Sequence, residues 1–231
     1  MSPRVRHEQE KEQMKQLILE AAIKITADIG YEKLSMRKIA DMIGYTPTTI
    51  YLYYKDKEQI VADIFMIVYS EIVQNAQNVF NENFHLSFDQ QLKLVLETFI
   101  ETIVSKPEMG KVIISSGTKI MFGSADSKED VIDNNETHGI NLLQQYLIKG
   151  QQQGVFRQLD ENMSWMVITA LIGFTIGAIE NKMYLQENWK QLVHVYTEML
   201  INGLLAKKEQ SLNIDAILEA IKQALIEVTK E

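Results

Sequence analysis

Five hydroxyl-bearing side chains fall within the eight residues TPTTIYLY, at Thr46, Thr48, Thr49, Tyr51 and Tyr53, with Lys57 following and Arg37 preceding. Hydroxyls both donate and accept hydrogen bonds, while lysine and arginine supply charge to an anion, so this set suits non-covalent binding of a polar, anionic surface. Nothing comparable points to catalysis. The chain contains no GxSxG, HExxH, GxxxxGK or GxGxxG, its four histidines have no obvious catalytic partners, and the expectation is a protein that is not an enzyme. Asp133, Glu136 and His138 are close in sequence but match no metal-ligand spacing and read as a solvated helix start, so no metal and no cofactor is expected. The absence of cysteine excludes a disulfide framework and thiolate zinc sites and fits a cytoplasmic location.

The elements that must position these groups are helices. With 3 Pro and 11 Gly in 231 residues, 46% of them hydrophobic, the chain has too few breakers for the turns of a sandwich or barrel. Met14, Leu17, Ile18, Ala21, Ala22, Ile25 and Ile29 recur at helical spacing before Gly30. Ser35 caps a short second helix with Ile39, Ala40 and Ile43 inward, stopping at Gly44. Thr46 and Pro47 then read as N-cap and first position of a third helix ending near Lys55, with a capping box at Asp56 and Gln59 opening a fourth. On the third helix Pro47, Ile50 and Tyr54 face inward, Thr48, Thr49, Tyr51 and Leu52 outward, with Tyr53 flanking them. A run of β-branched and aromatic residues has low helix propensity, and a functional surface accounts for its presence here.

Two short helices joined by a glycine turn, the second with a hydroxyl-rich outward face, have the form of a helix-turn-helix, whose second helix enters the DNA major groove. The segment LSMRKIADMIGYTPTTIYLYYKDKEQIVADIF resembles the DNA-binding head of the TetR family of bacterial transcriptional regulators. Ser35, Ile39, Ala40, Gly44, Thr46, Ile50, Tyr51, Tyr54, Lys55, Lys57 and Glu58 carry that resemblance, which covers roughly residues 10 to 65. It implies DNA contacts from Arg37, Thr46, Thr48, Thr49, Tyr51 and Tyr53, and a phosphate anchor at Lys57. Pro47 and Thr48 stand where small residues or glycine are frequent in the family, and Leu52 where a polar or aromatic residue is common. Arg4 and Arg6 read as a frayed tail, with a groove-contacting arm as the alternative.

Beyond the head, apolar runs predict further helices: Ile60–Ile72, one opened by a Ser87–Gln90 capping box, an Ile-rich one after Pro107, one reaching Gly150, two strongly apolar ones at 162–182 and 188–206, and an amphipathic tail at 214–228. The stretch GSADSKED, 123–130, is the clearest loop. KGQQQGVFRQLDENMSW, at 149–165, resembles a junction common in the same family. Asn162 to Ile179 lacks formal charge and is read as a buried helix, with no membrane partner. Residues 1–60 hold 10 basic and 9 acidic side chains, so of the net charge of −8 the remainder carries −9; only the head approaches DNA without strong repulsion.

The expected fold is therefore all-α: a three-helix helix-turn-helix head, residues 1–56, plus a larger helical body, residues 57–231, for ligand binding and dimerisation. The resemblance implies a homodimeric repressor of double-stranded operator DNA, released by an apolar or aromatic small molecule held among helices 88–105, 107–122 and 131–153. Small residues Ala170, Gly173, Gly177 and Ala178 allow close helix contact within or between subunits. A helical adaptor binding only proteins, or a ligand-independent regulator, are the alternative readings.

Overall fold

The computed structural model describes residues 3–115 and 139–206. Nine α-helices occur among them: α1 Pro3–Ile29, α2 Met36–Ile43, α3 Pro47–Tyr51, α4 Lys57–Glu82, α5 Phe88–Val104, α6 Pro107–Ser115, α7 Gly139–Gln152, α8 Met163–Glu180 and α9 Trp189–Leu204. The expected loop at 123–130, the Asp133, Glu136 and His138 group and the tail at 214–228 lie outside the described residues. The fold is all-helical, with a lone antiparallel bridge between Phe156 and Leu205 among the described residues.

Local chemistry sets the helix boundaries of the head. Gly30, at φ 87°, lets α1 end and turn, and Gly44, at φ 75°, does the same for α2. The Ser35 hydroxyl accepts the Lys38 N–H at 3.3 Å and caps α2. Residues 3–13 continue α1 as helix, where the sequence reads a frayed tail at Arg4 and Arg6; the Glu, Lys and Gln of that stretch are good helix formers. Leu17 and Ile29 are largely exposed, and Leu19 and Ile23 are buried instead, in the cluster that also holds Val112 of α6. The inward face of α1 is wider than one stripe because α2, α4 and α6 all pack on it.

Two hydrophobic clusters divide the interior. One joins α1, α2 and α3 to the first turns of α4 through Ile18, Ile39, Ile50, Tyr54, Ile60 and Ile64. The other fills the space among α4 to α9, from Phe65 and Val68 through Leu92, Ile100, Leu171, Ile179 and Ile201. The 26-residue α4 runs through both, and α6 also joins them, with Val112 in the first and Ile113 in the second.

At the far end, Gly150 meets the ring of Phe156 so closely that an added Cβ would fall 2.3 Å from it. The loop then turns at Gly154, φ 71°, and Arg157 donates its backbone N–H to Leu204 at 3.0 Å, clasping the end of α9. Asp160 accepts the backbone N–H of Asn162 at 2.8 Å. These bonds favour the charged form and hold its carboxyl below the usual range.

Helix α8 is the described helix long and apolar enough to cross a membrane. Its inward side is buried within the bundle: Val167, Leu171, Ile172, Thr175, Ala178 and Ile179. It is not a fully buried helix, however, since Trp165 and Met166 are half exposed on its outer side. The four small residues do not share one face either, with Gly173 at the surface and Ala178 turned inward. Trp189 and Tyr196 of α9 stack on Phe174 and pin the two helices together.

Candidate nucleic-acid interface

Helix α3 is short, and its geometry depends on its first residue. The Thr46 hydroxyl accepts the Thr49 N–H at 3.2 Å and lies 2.9 Å from the Thr49 hydroxyl, while Pro47 fills the first helical position, where its missing N–H costs nothing. α-Helical structure ends at Tyr51, earlier than the expected end near Lys55. The Tyr53 and Tyr54 N–H groups still bond the Ile50 carbonyl, which carries the chain round without another full turn.

The faces separate as helical spacing predicts. Ile50 is fully buried and Tyr54 nearly so, with the Tyr54 hydroxyl donating to Asp63 at 2.9 Å. Burial, reinforced by that bond, pushes the Tyr54 phenol up from its usual value. Outward stand Thr48, Tyr51 at 57% exposure and Leu52 at 77%. Thr49 is only half exposed and its hydroxyl is engaged with Thr46; Tyr53 is half-buried and packs its ring on the head core. Thr48, Tyr51 and Leu52 therefore form the open crest of the surface, flanked by Thr49 and Tyr53.

Two cations border this crest. Arg37, on α2, lies 4.0 Å from Asp41 one turn away, and both side chains are largely in solvent, where such a pair is weak and easily exchanged for another anion. Lys57 is the first residue of α4, next to the N-cap Asp56, whose carboxylate accepts the Gln59 N–H at 2.9 Å. The box expected at this start is shifted by one residue: the Gln59 side chain accepts the Lys55 N–H, at 2.9 Å, rather than that of Asp56. Asp56 occupies one donor of the α4 terminus, and Lys57 adds a positive charge there.

Sequence spacing does not reveal that Tyr31, in the turn after α1, lies beneath Lys57, with the Lys57 Nζ 4.2 Å from the ring centroid. The two are separated by 26 positions, and no periodic pattern connects them. Tyr45 and Met42 are also substantially exposed beside α3. The turn of α2 into α3 brings them there, which residue type alone does not disclose.

Residues 18–64 match the family model described as bacterial regulatory proteins, tetR family. The chain is 25% identical over 169 residues to the uncharacterised HTH-type transcriptional regulator YhgD of Bacillus subtilis, covering 68% of this chain and 79% of the relative. It is 22% identical over 160 residues to the fatty acid metabolism regulator protein of the same organism, covering 69% and 79%. Its fold is like that of the fatty acid degradation regulator FadR from Bacillus halodurans, with a TM-score of 0.63 at 22% identity, over 81% of this chain and 94% of that one. With its helix-turn-helix, outward hydroxyl crest and flanking cations, the segment 18–64 is a DNA-binding head of the tetR type of bacterial regulatory proteins, and the chain as a whole is similar to transcriptional regulators of that type.

Proposed function

We propose that the protein is a cytoplasmic homodimeric repressor, with residues 1–56 as DNA-binding unit and 57–231 as ligand-binding and dimerisation unit. In this reading Thr48, Tyr51 and Leu52 meet base edges and thymine methyls, Thr46, Thr49 and Tyr53 hold or flank that crest, and Arg37 and Lys57 meet phosphates. One five-residue α3 offers too few base contacts for regulatory affinity, so two heads are needed. The exposed apolar side chains of the outer bundle supply the pairing surface: Trp165 and Met166 on α8, Val195 and Met199 on α9, each at least half exposed. A second copy covering them removes this apolar area from water.

Release by a ligand rests on α4. Its first residue carries the Lys57 charge, and its middle, Phe65, Val68, Tyr69 and Ile72, walls an apolar cavity completed by Ile103, Gly110, Ile113 and Ile172. That cavity lies between α4, α5, α6 and α8, with no described wall from α7; of the helices expected from sequence to hold a ligand, 88–105 and 107–122 contribute to it. Its volume is about 30 Å³, room for one small group, so a ligand must part α4 from α8 to enter. Such displacement moves α4 and with it the spacing of the two heads. A larger groove of about 520 Å³ is open and edged by Glu71, Glu97 and Glu101, a poor match for an apolar ligand. The apolar surface that the small cavity presents, with Tyr69 and Thr175 as its hydroxyl-bearing lining residues, together with similarity to fatty acid regulators, favours an aliphatic chain.

The observation that carries this reading is the single helix joining Lys57 to the cavity wall. Palmitate provides the test. If it weakens DNA binding a hundredfold, the coupling is about 2.7 kcal/mol, and by reciprocity DNA must weaken palmitate binding by the same factor. Equal palmitate affinity for free and DNA-bound protein leaves a regulator insensitive to this ligand.

A further inference from the structure

We propose that Tyr31 is the positioning residue for Lys57, a platform that fixes the lysine head toward DNA; this rests on Lys57 meeting a phosphate, as assigned above. The Nζ lies 4.2 Å from the Tyr31 ring centroid, well inside the range over which an aromatic face attracts a cation. No other strong partner competes: among the described residues no carboxylate forms an ion pair with Lys57. The neighbouring carboxylate, Glu58, is instead met by the Tyr31 hydroxyl, which donates to it at 3.4 Å. One tyrosine thus carries the cation on its face and occupies the adjacent acid with its edge.

The platform is itself fixed. Gly30, at φ 87°, turns the chain out of α1, and the next residues close a tight turn through Lys33 N–H to Gly30 O at 3.2 Å and Leu34 N–H to Tyr31 O at 2.9 Å. The ring is half-buried against the head core. Burial and the Glu58 charge push the Tyr31 phenol up to about 12, so it remains a neutral donor at physiological pH. A free lysine side chain samples many rotamers and loses that freedom on meeting a phosphate. One held on a ring has given up part of it already, and its ammonium retains N–H donors on the side away from the ring. The turn between α1 and α2 thereby becomes part of the DNA-binding apparatus without touching DNA.

Two measurements on the full-length protein test this separately from the role of Lys57. In the free protein, proton NMR of the Lys57 side chain is expected to show an upfield ring-current shift that persists in Tyr31→Phe and disappears in Tyr31→Leu. No such shift in the wild type overturns the platform. In the second, binding to a duplex selected from a random pool is followed against salt for Lys57→Ala, Tyr31→Leu, Tyr31→Phe and the Tyr31→Leu/Lys57→Ala double variant, each first checked for a native-like thermal transition. Tyr31→Leu is expected to weaken binding about fivefold, the scale of one cation–π contact, and Tyr31→Phe less than twofold. Adding Tyr31→Leu to Lys57→Ala is expected to change affinity by less than twofold. Equal loss from Tyr31→Leu in both backgrounds, or none while Lys57→Ala weakens binding, overturns the positioning role. A silent Lys57→Ala with the ring-current shift intact overturns instead the phosphate contact, and with it the function assigned to the platform.

Discussion

The crest of α3 and the outer faces of α8 and α9 are both exposed, yet their chemistry differs. The crest alternates hydroxyls with one apolar tip, Leu52, and is bordered by cations. The bundle face places Trp165, Met166, Val195 and Met199 outward. Hydroxyls lose little in water and gain direction when they meet phosphates and base edges, whereas thioether and indole surface gains by leaving water and specifies little else. Exposure by itself therefore does not define function; the chemistry of what is exposed is what separates the proposed nucleic-acid surface from the proposed pairing surface.

The largest expected effect comes from making the bundle face resemble the crest in polarity. Val195→Glu with Met199→Glu should leave a folded monomer in sedimentation velocity and lower DNA affinity at least about a hundredfold, about 2.7 kcal/mol, because two heads no longer bind as one. A dimer surviving both charges would move the pairing surface elsewhere. A different break of the bundle is Gly150→Ala, whose new methyl collides with the Phe156 ring; a stability loss of roughly 1–3 kcal/mol is expected by calorimetry, as for overpacked cores.

In the head the corresponding changes are smaller and more selective. Thr46→Ala removes the cap of α3 and with it the hydroxyl that engages Thr49. Loss of stability of about 1 kcal/mol should accompany a larger loss of discrimination between DNA sequences, measured by competition with mismatched duplexes. Tyr54→Phe deletes the bond to Asp63 and should cost on the order of 1 kcal/mol of stability, without changing sequence preference. The sign with pH follows from the raised phenol value: the protonated form is favoured in the folded state, so the contribution is complete below the unfolded-state value near pH 10 and is lost as pH rises further. Denaturant unfolding of wild type and Tyr54→Phe at neutral and strongly alkaline pH measures it.

The two regions also differ in how far residue order disclosed them. Short-range signals wrote the head: Ser35 and Thr46 as caps, Pro47 at a helix start, Gly30 and Gly44 at stops, and Ile50 and Tyr54 spaced to face inward. Each acts within a few residues, so it is legible locally. The body depends on packing between distant helices. Even on α1 of the head, Leu17 and Leu19 are the same residue type two positions apart, yet the first is exposed and the second is buried in a cluster that includes Val112 of α6. The apolar cavity likewise draws its walls from Phe65 on one side and Ile172 on the other, a pairing that no sequence period contains. Within the head itself, Tyr31 under Lys57 escaped for the same reason.

Selection of duplexes from a random-sequence pool by the full-length protein tests the central claim most directly. A dimer presenting two α3 crests predicts an enriched motif with two inverted half-sites, their centres separated by one helical turn, roughly 34–36 Å, or a multiple of it. Enrichment should be lost in Val195→Glu/Met199→Glu. A single half-site enriched equally by wild type and that variant, or no enrichment at moderate salt, contradicts the account.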